Sequence, residues 1–233
     1  MRILMIRHGM TAGNREKRYI GRTDEPLCEE GIRQVGDLRC LLEEKFGKEA
    51  LSSAFVAVSP MRRTWQTAQL LFEEKEDASG GCVSGEEPAR QRLRRIEDFR
   101  ECDFGAFENR NYTELSGNPA YQRWIDGGGA LPFPGGEDPH AFRERCCLAF
   151  AGLMREAEQT EAVSGTDPKE RLLCIVVHGG TIMSIAERFA VDECGEHRGY
   201  YDWYIGNAQA FVFEVTGSVE DDHFLGRTGC IGL

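Results

Sequence analysis

Three short apolar runs constrain the fold of this chain more than any other feature of its sequence. They occupy residues 2–6, 54–58 and 172–177. Runs of this length without polar alternation are typical of strands that are buried on both faces of a sheet. The segments between them carry apolar residues at three- and four-residue spacing, which predicts helices. Strands that alternate with helices predict an α/β fold, a three-layer sandwich in which helices cover both faces of a mainly parallel central sheet.

The same patterns predict the other elements. Helical spacing is found in five segments: 29–46, 60 to about 74, 111–125, 138–158 and 181–190. Strand character is found in two more, 92–96 and 208–215. Stretches rich in Gly, Ser, Pro or Glu are predicted to be loops, at 78–87, at 127–139 and up to residue 168. We therefore expect a single domain over residues 1–233, with loop insertions around 76–91 and 127–139.

Composition argues against several classes of function. A formal net charge of −11 disfavours a nucleic-acid surface, which needs a basic footprint. No apolar run approaches the ~20 residues that span a bilayer, and a strand that begins at residue 2 leaves no room for a signal peptide. The nine cysteines show no metal-ligand spacing, and their odd number predicts reduced thiols in a cytoplasmic protein. We expect no metal and no cofactor, and a homodimer is compatible with the sequence.

An arginine–histidine pair stands where the first strand ends. Arg7 and His8 are followed by Gly9, which permits a tight turn or a close backbone approach. The carboxyl edge of a parallel sheet is where α/β proteins bind ligands. Histidine can act as a nucleophile, and arginine clamps anionic oxygens. The pair favours phosphoryl transfer onto His8, although such a pair taken alone is more often a surface contact.

Five short blocks, in order along residues 2–182, resemble the signature of the histidine phosphatase superfamily, which has the phosphoglycerate mutase-like fold. The blocks are Arg7-His8-Gly9 with Thr11 and Asn14, the stretch 19–27 with Gly31, and the stretches 59–68, 101–108 and 177–181. Each block alone is a weak or moderate signal. The resemblance depends on finding all five in the family's order.

The resemblance implies a mechanism through a phosphohistidine on His8. Arg7, Arg63 and His178 would neutralise the phosphate oxygens, and Glu101 would protonate the leaving alkoxide. The implied substrate contacts lie in the same blocks: Thr11, Asn14, Ile20, Gly21 and Gly179. A carboxyl group with its ordinary pKa of ~4.3 would be ionised at neutral pH, so the pocket must raise the pKa of Glu101.

Several residues compete for these roles. The family spacing of four residues from Ser59 selects Arg63 over Arg62, but a register error of one stays open. Asp103 and Glu108 are alternatives to Glu101 as the general acid. The three other histidines match no block and are interpreted as surface or structural residues: His140, His197 and His223.

Departures from the family pattern favour a phosphomonoesterase that acts on a small-molecule phosphate ester. Met10 and Ile20 stand where phosphoglycerate mutases typically carry a Glu or Gln and a small hydroxyl residue. The stretches 104–110 and 134–137 resemble the α-ribazole phosphatase branch, with Glu137 and its loop expected to border the substrate. An open, flexible loop at 127–139 would let water reach a phosphoenzyme.

Two alternatives remain. The first is a phosphoglycerate mutase, which Ile20 disfavours because an apolar side chain cannot hold a substrate carboxylate by a hydrogen bond. The second is a binding protein that keeps the fold without turnover. Glu101 distinguishes this second alternative, because the binding of a phosphate alone needs no general acid.

Overall fold

The structure is a computed structural model that describes residues 1–73, 93–164 and 171–232. For residues 160–164, the structure describes the backbone, which is helical, but not the side chains. The predicted loop at 76–91, Cys82 and the end of the predicted linker at 165–168 lie outside the described residues as well.

One sheet of seven strands forms the centre of the described fold. Its strands are β1 (Arg2–Arg7), β2 (Phe55–Val58), β3 (Leu93–Arg95), β4 (Leu172–Val177), β5 (Ala190–Val191), β6 (Ala210–Val215) and β7 (Leu225–Ile231). Their spatial order is β3-β2-β4-β1-β6-β7-β5. Strand β6 runs antiparallel to β1 and β7, whereas β1–β4, β2–β4, β2–β3 and β5–β7 pair in parallel. The mainly parallel sheet is therefore confirmed.

Helices cover both faces of this sheet, as the three-layer prediction requires. They are α1 (Ala12–Arg15), α2 (Glu29–Phe46), α3 (Lys48–Ser52), α4 (Arg62–Phe72), α5 (Pro119–Asp126), α6 (Pro139–Ser164) and α7 (Gly179–Phe189). Side chains alternate along a strand, so each face of β1 meets a different layer. Ile3 and Met5 join a core cluster with α6 and α7, whereas Leu4 and Ile6 join a second cluster with α2 and α4.

The sequence prediction was wrong at four elements. The helix predicted at 111–125 starts only at Pro119, because the Asn118 side chain accepts hydrogen bonds from Ala120 and Tyr121 and so caps the helix there. Strands β5 and β7 were missed; β7 contains two glycines and is partly exposed, so it lacks an apolar alternation. Helix α6 runs on to Ser164 rather than ending at 158.

Residues 133–137 of the loop at 127–138 are tied to the segment after Glu101, which corrects the expectation of an open, flexible segment for this half of the loop. Residues 127–132 are mostly exposed. The Pro134 carbonyl accepts a hydrogen bond of 2.8 Å from the Ala106 N–H, and the Glu137 N–H donates to Asp103 at 2.9 Å. A Cβ on Gly136 would lie 2.4 Å from the Asp103 carbonyl oxygen, so this approach requires glycine. Phe133, in the same loop, is buried.

Two further findings concern membranes and cysteines. Within the described ranges, no helix has the length and apolar character needed to cross a membrane. Eight described cysteines are free thiols, at positions 28, 40, 102, 146, 147, 174, 194 and 230.

Candidate active site

Two histidines meet at the carboxyl edge of the sheet because the strands before them are paired in parallel. Arg7 at the end of β1 lies opposite Val177 at the end of β4. His8 and His178 are the next residues, and their ring centroids are 5.2 Å apart in an edge-to-face arrangement. Both are buried. Helix α7 begins directly after His178, so its N-terminal amides lie at the same edge.

The His8 ring is held in one tautomer. Its Nδ1 lies 2.7 Å from the Gly9 carbonyl oxygen, and because a carbonyl can only accept, Nδ1 carries the proton. The lone pair is therefore on Nε2. Burial lowers the pKa of His8 well below its ordinary value of 6.5, and the nearby charges of Arg63 and Arg7 lower it further. At neutral pH the residue is an uncharged imidazole, the form that can attack phosphorus.

Arg63, rather than Arg62, faces this site. It lies in the first turn of α4 and is fully buried. Its guanidinium donates to the carbonyl oxygens of Thr23 and Gly21, both at 2.9 Å. Arg62 is exposed, and its backbone N–H donates to Asp24. The two carbonyls fix the direction of the Arg63 side chain.

A carboxylate holds the loop that supplies those carbonyls. Glu108 accepts hydrogen bonds from the N–H groups of Gly21 at 2.8 Å and Thr23 at 2.9 Å. A Cβ on Gly21 would lie 1.8 Å from the Cys102 carbonyl oxygen. The Ile20 side chain is buried. Ile20 and Gly21 therefore support Arg63 through their backbone, and direct contact of either with a substrate stays a prediction.

Three buried nitrogen atoms around His8 have no hydrogen-bond partner among the described residues. They are Arg7 Nε and Arg63 Nε, which are N–H donors, and His178 Nδ1, which is a donor in the tautomer in which Nε2 accepts from Ser59. Other atoms of these side chains are anchored: His178 Nε2 lies 2.7 Å from Ser59 Oγ, and Arg7 donates to the Ile205 carbonyl at 2.7 Å. An unsatisfied buried donor costs about 1–3 kcal/mol. The two guanidinium donors come from β1 and α4, and together they favour an anion beside His8.

Thr11 and Asn14 contribute to the framework of this site. The Thr11 hydroxyl accepts from the Asn14 N–H at 3.2 Å, and Asn14 Oδ1 accepts from the Thr11 N–H at 3.3 Å. This reciprocal cap begins α1. Asn207 donates to Asn14 Oδ1 and to the His8 carbonyl oxygen, both at 3.1 Å. The sequence analysis missed Asn207, which follows no recognisable motif.

Glu101 is the carboxyl group held at the N-terminus of α7. Its oxygens accept from the N–H groups of Cys102 at 3.0 Å and Gly180 at 3.2 Å. Burial raises the pKa of Glu101, against the opposing effect of these N–H groups and of Arg63. Of the two alternatives, Asp103 pairs with Arg22 and accepts from Gly105, and Glu108 is engaged by the loop at 21–23.

Glu137 and Arg145 hold the segment that carries Glu101. Glu137 pairs with Arg145 at 2.8 Å and accepts from the Asp103 N–H at 3.3 Å. Arg145 donates to the carbonyl oxygens of Asp98 at 2.7 Å and Arg100 at 3.1 Å. The expectation that Glu137 itself borders the substrate is corrected, because its carboxylate is occupied by these contacts.

A cavity of about 260 Å³ opens beside Glu101, Arg7 and Gly179. Aromatic side chains supply much of its wall, among them Tyr19, Phe104, Trp124, Phe133, Tyr200 and Tyr204. The loop at 127–138 thus borders the cavity through Gly129 and Phe133 rather than through Glu137. The sequence analysis identified the polar residues at the sheet edge but not this aromatic wall.

The remaining histidines lie away from this constellation of side chains. His140 and His197 are exposed, His223 is half-buried, and His197 Nε2 bonds the Glu187 carbonyl at 2.7 Å. In the part of the chain that the structure describes, no group of three or more His, Cys, Asp or Glu residues is arranged to hold a metal ion.

Comparison with known protein families matches residues 3–218 to the histidine phosphatase superfamily, branch 1. The chain belongs to this superfamily. The match spans all five sequence blocks and the whole constellation around His8, so the resemblance based on those blocks is confirmed.

Individual relatives of this superfamily member are distant. It is 30% identical over 189 residues to the bifunctional protein Rv2228c of Mycobacterium tuberculosis, a match that covers 77% of this chain and 45% of that protein. The chain thus spans about half the length of that relative. It is 26% identical over 234 residues to the Klebsiella pneumoniae protein named "Probable phosphoglycerate mutase GpmB", with 94% of each covered. The crystal structure of the alpha-ribazole phosphatase from Shigella flexneri superposes with a TM-score of 0.64 at 22% identity, over 92% of this chain and 91% of that one.

Proposed function

We propose that this superfamily member is a phosphomonoesterase that works through a phosphohistidine on His8. The observation that carries the proposal is the arrangement around His8: an uncharged imidazole in one tautomer beside two unpartnered buried guanidinium N–H groups, those of Arg7 and Arg63. A phosphate monoester brings anionic oxygens that can accept from both. Charge neutralisation and positioning are the main requirements of phosphoryl transfer.

In the first step, His8 Nε2 attacks phosphorus and the bond between phosphorus and the ester oxygen breaks. Glu101 gives its proton to the departing alkoxide, which leaves as an alcohol. A raised pKa keeps this proton available at a pH where an ordinary carboxyl would have lost it. Arg7 and Arg63 hold the phosphoryl oxygens during the transfer.

In the second step, a water molecule attacks the same phosphorus and the bond from phosphorus to Nε2 breaks. The Glu101 carboxylate, left without its proton by the first step, takes a proton from the attacking water. Inorganic phosphate leaves, and His8 returns to its uncharged form. Two steps of moderate difficulty replace one difficult step.

The decisive experiment has two readouts on purified protein. Released phosphate is measured with a panel of phosphomonoesters, and the protein is quenched during turnover and mapped by mass spectrometry for phosphate on the peptide that contains His8. Release together with labelled His8 supports the proposal. Tight phosphate binding without release would support the binding-protein alternative instead.

A phosphoglycerate mutase is the second candidate, favoured by the likeness to the mutase-named Klebsiella protein and by the tied segment at 133–137. Incubation with 3-phosphoglycerate and a bisphosphoglycerate primer tests it, with 2-phosphoglycerate and free phosphate followed together. We expect slow phosphate release and little isomerisation. Isomerisation much faster than release would reverse the assignment.

The proposed setting is the cytoplasm. Unpaired cysteines throughout the described residues support a reducing compartment.

A further inference from the structure

The cavity beside Glu101 has a wall of closely packed rings. The ring centroid of Tyr19 lies 5.3 Å from that of Phe104 and 6.1 Å from that of Trp124. Phe133 is 5.1 Å from Phe104 and 5.2 Å from Trp124. These rings come from three separate parts of the chain: the loop after α1, the segment after Glu101 and the region from α5 to the loop at 127–138. Each ring holds its neighbours, so the wall is preformed.

Outside the phosphate site, the positive charge that lines this cavity is already paired with a carboxylate. Arg143 lines the cavity, but its guanidinium lies 3.9 Å above the centroid of the Tyr200 ring and bonds the Glu187 carboxylate at 3.2 Å. Arg7 belongs to the phosphate site, and Glu101 must be protonated to act. The cavity therefore offers a substrate carboxylate no uncompensated cation among the described residues that line it.

Two polar groups of the wall residues are buried rather than exposed to the cavity. The indole N–H of Trp124 and the Nε–H of Arg143 are buried and have no hydrogen-bond partner among the described residues. The rings are therefore the main surface that the wall offers to a ligand.

The rim of the cavity is also aromatic, and it is open to solvent. Tyr201 and Tyr204 expose 63% and 69% of their surface. Gly129 closes one side: a Cβ there would lie 3.2 Å from Trp124 and 3.1 Å from the Tyr201 hydroxyl. Exposed rings that continue a buried aromatic wall mark a place where a ligand covers apolar surface.

We propose that the preferred substrates are phosphate monoesters of uncharged alcohols that carry a flat aromatic or heteroaromatic ring. The ring lies in the aromatic cavity while the phosphate lies against His8. A volume of about 260 Å³ lies just below the ~300–1,000 Å³ of typical ligand pockets, so the cavity suits a single ring system. This inference rests on the proposed phosphatase function, because it names the alcohol half of that ester.

Two alkyl esters test the ring preference without changing the chemistry of the leaving group. Benzyl phosphate and ethyl phosphate both have a poor alkoxide leaving group, but only the first carries a ring. We expect kcat/KM for benzyl phosphate to exceed that for ethyl phosphate by about tenfold or more, the order of one aromatic stacking contact. 3-Phosphoglycerate should be poorer than benzyl phosphate. Equal or reversed preference would overturn the inference.

Variants locate the effect in the cavity. Trp124→Ala should lower the benzyl-to-ethyl ratio of kcat/KM about tenfold, and Tyr201→Ala at the exposed rim should lower it less. Tyr112→Ala removes a tyrosine that is 62% exposed and does not line the cavity, so it should leave the ratio unchanged. Thermal unfolding of each variant reports its folding, and if Trp124→Ala does not fold, Tyr201→Ala decides. A ratio that neither folded variant changes would contradict the proposal.

Failure of the proposed function would look different. If neither ester releases phosphate, the phosphatase proposal fails, and calorimetric affinities of the intact protein for the two esters still test the ring preference. Tighter binding of benzyl phosphate would uphold the cavity assignment for a protein that binds without turnover. Equal affinities would overturn it.

Discussion

The phosphate side and the alcohol side of this site are built in different ways. On the phosphate side, His8 and His178 directly follow the two central parallel strands and are buried among fixed hydrogen bonds. On the alcohol side, rings from loops and from α5 form the wall, and two rim tyrosines stay exposed. The two histidines of the proposed mechanism are thus held by the sheet, whereas the residues proposed to choose the substrate belong mostly to the connections. The two sides can therefore be separated by experiment.

The largest effect is expected from His8→Ala. Turnover of every ester should fall below detection, because the loss of a nucleophile costs on the order of 10⁶-fold in other enzymes. Phosphate release from aryl and alkyl esters checks this, with circular dichroism to confirm folding. His140→Ala, at an exposed histidine, is the matched control and should retain full activity. Substantial turnover by folded His8→Ala would exclude the mechanism.

The loss of activity caused by Glu101→Gln should depend on the leaving group of the ester. Alkyl esters need a proton on the departing oxygen, so their kcat should fall by about 10²–10⁴-fold, the usual contribution of general acid catalysis. p-Nitrophenyl phosphate has a good leaving group and should slow far less. Asp103→Asn, at the carboxylate paired with Arg22, is the control. Equal slowing of both esters by Glu101→Gln would assign Glu101 a positioning role.

The same variant should be more stable than the wild type at neutral pH. Burial raises the pKa of Glu101 in the folded state, so its ionised form disfavours folding once the pH rises through that folded-state value. Glutamine removes this cost. Urea unfolding at pH 7.5 should show a higher free energy of unfolding for the variant, with a smaller difference at pH 4. No gain at pH 7.5 would mean that the carboxylate is compensated in the native state.

Glu108→Gln should affect both classes of ester alike. Its carboxylate holds the N–H groups of Gly21 and Thr23, whose carbonyls orient Arg63. A misplacement of about 1 Å can cost ~10²-fold in rate, and we expect a loss of up to that size. Because the phosphate is common to all substrates, the ratio of aryl to alkyl activity should not change. A change in that ratio would link Glu108 to the acid instead.

Lower pH should destabilise the phosphate side specifically. The folded-state pKa values of His8 and His178 are depressed, first of all by burial, so their stabilising contribution is complete above about 6.5 and is lost as the pH falls toward the folded-state values. The free energy of unfolding should fall by up to about 1.4 kcal/mol per pH unit for each histidine. Urea titrations between pH 7.5 and 5.5 measure this slope. Inorganic phosphate should reduce it, because an anion offsets the repulsion from Arg63; the same slope in His8→Ala would contradict the assignment.

The smallest effect is expected from metal removal. Arg7 and Arg63 supply the positive charge that a metal ion provides in other phosphoryl-transfer sites. Treatment with a chelator should leave phosphate release unchanged. Loss of activity that magnesium restores would require a cation on the phosphate side.

Sequence reasoning reached the phosphate side because that side depends on local rules. An apolar run predicts a buried strand, and residues that follow parallel strands meet at one edge, so the proximity of His8 and His178 could be expected. The aromatic wall depends on tertiary packing between Tyr19, Trp124 and Phe133, which are distant in sequence and form no motif. Strand β7 was not predicted for a related reason: its pairing with β6 stabilises it, although two glycines give its own sequence a low strand propensity.

The short loop at 19–23 belongs to both sides of the site. Tyr19 lies in the aromatic wall, and two residues later Gly21 begins to supply the carbonyls that orient Arg63. Under the proposed mechanism, a ring that packs against Tyr19 would also steady the support of Arg63, the cation that holds the transferring phosphoryl group. Binding energy gained far from phosphorus would then raise the rate of the reaction. A substrate cut back to its phosphate and a small alkyl group would lose speed as well as affinity.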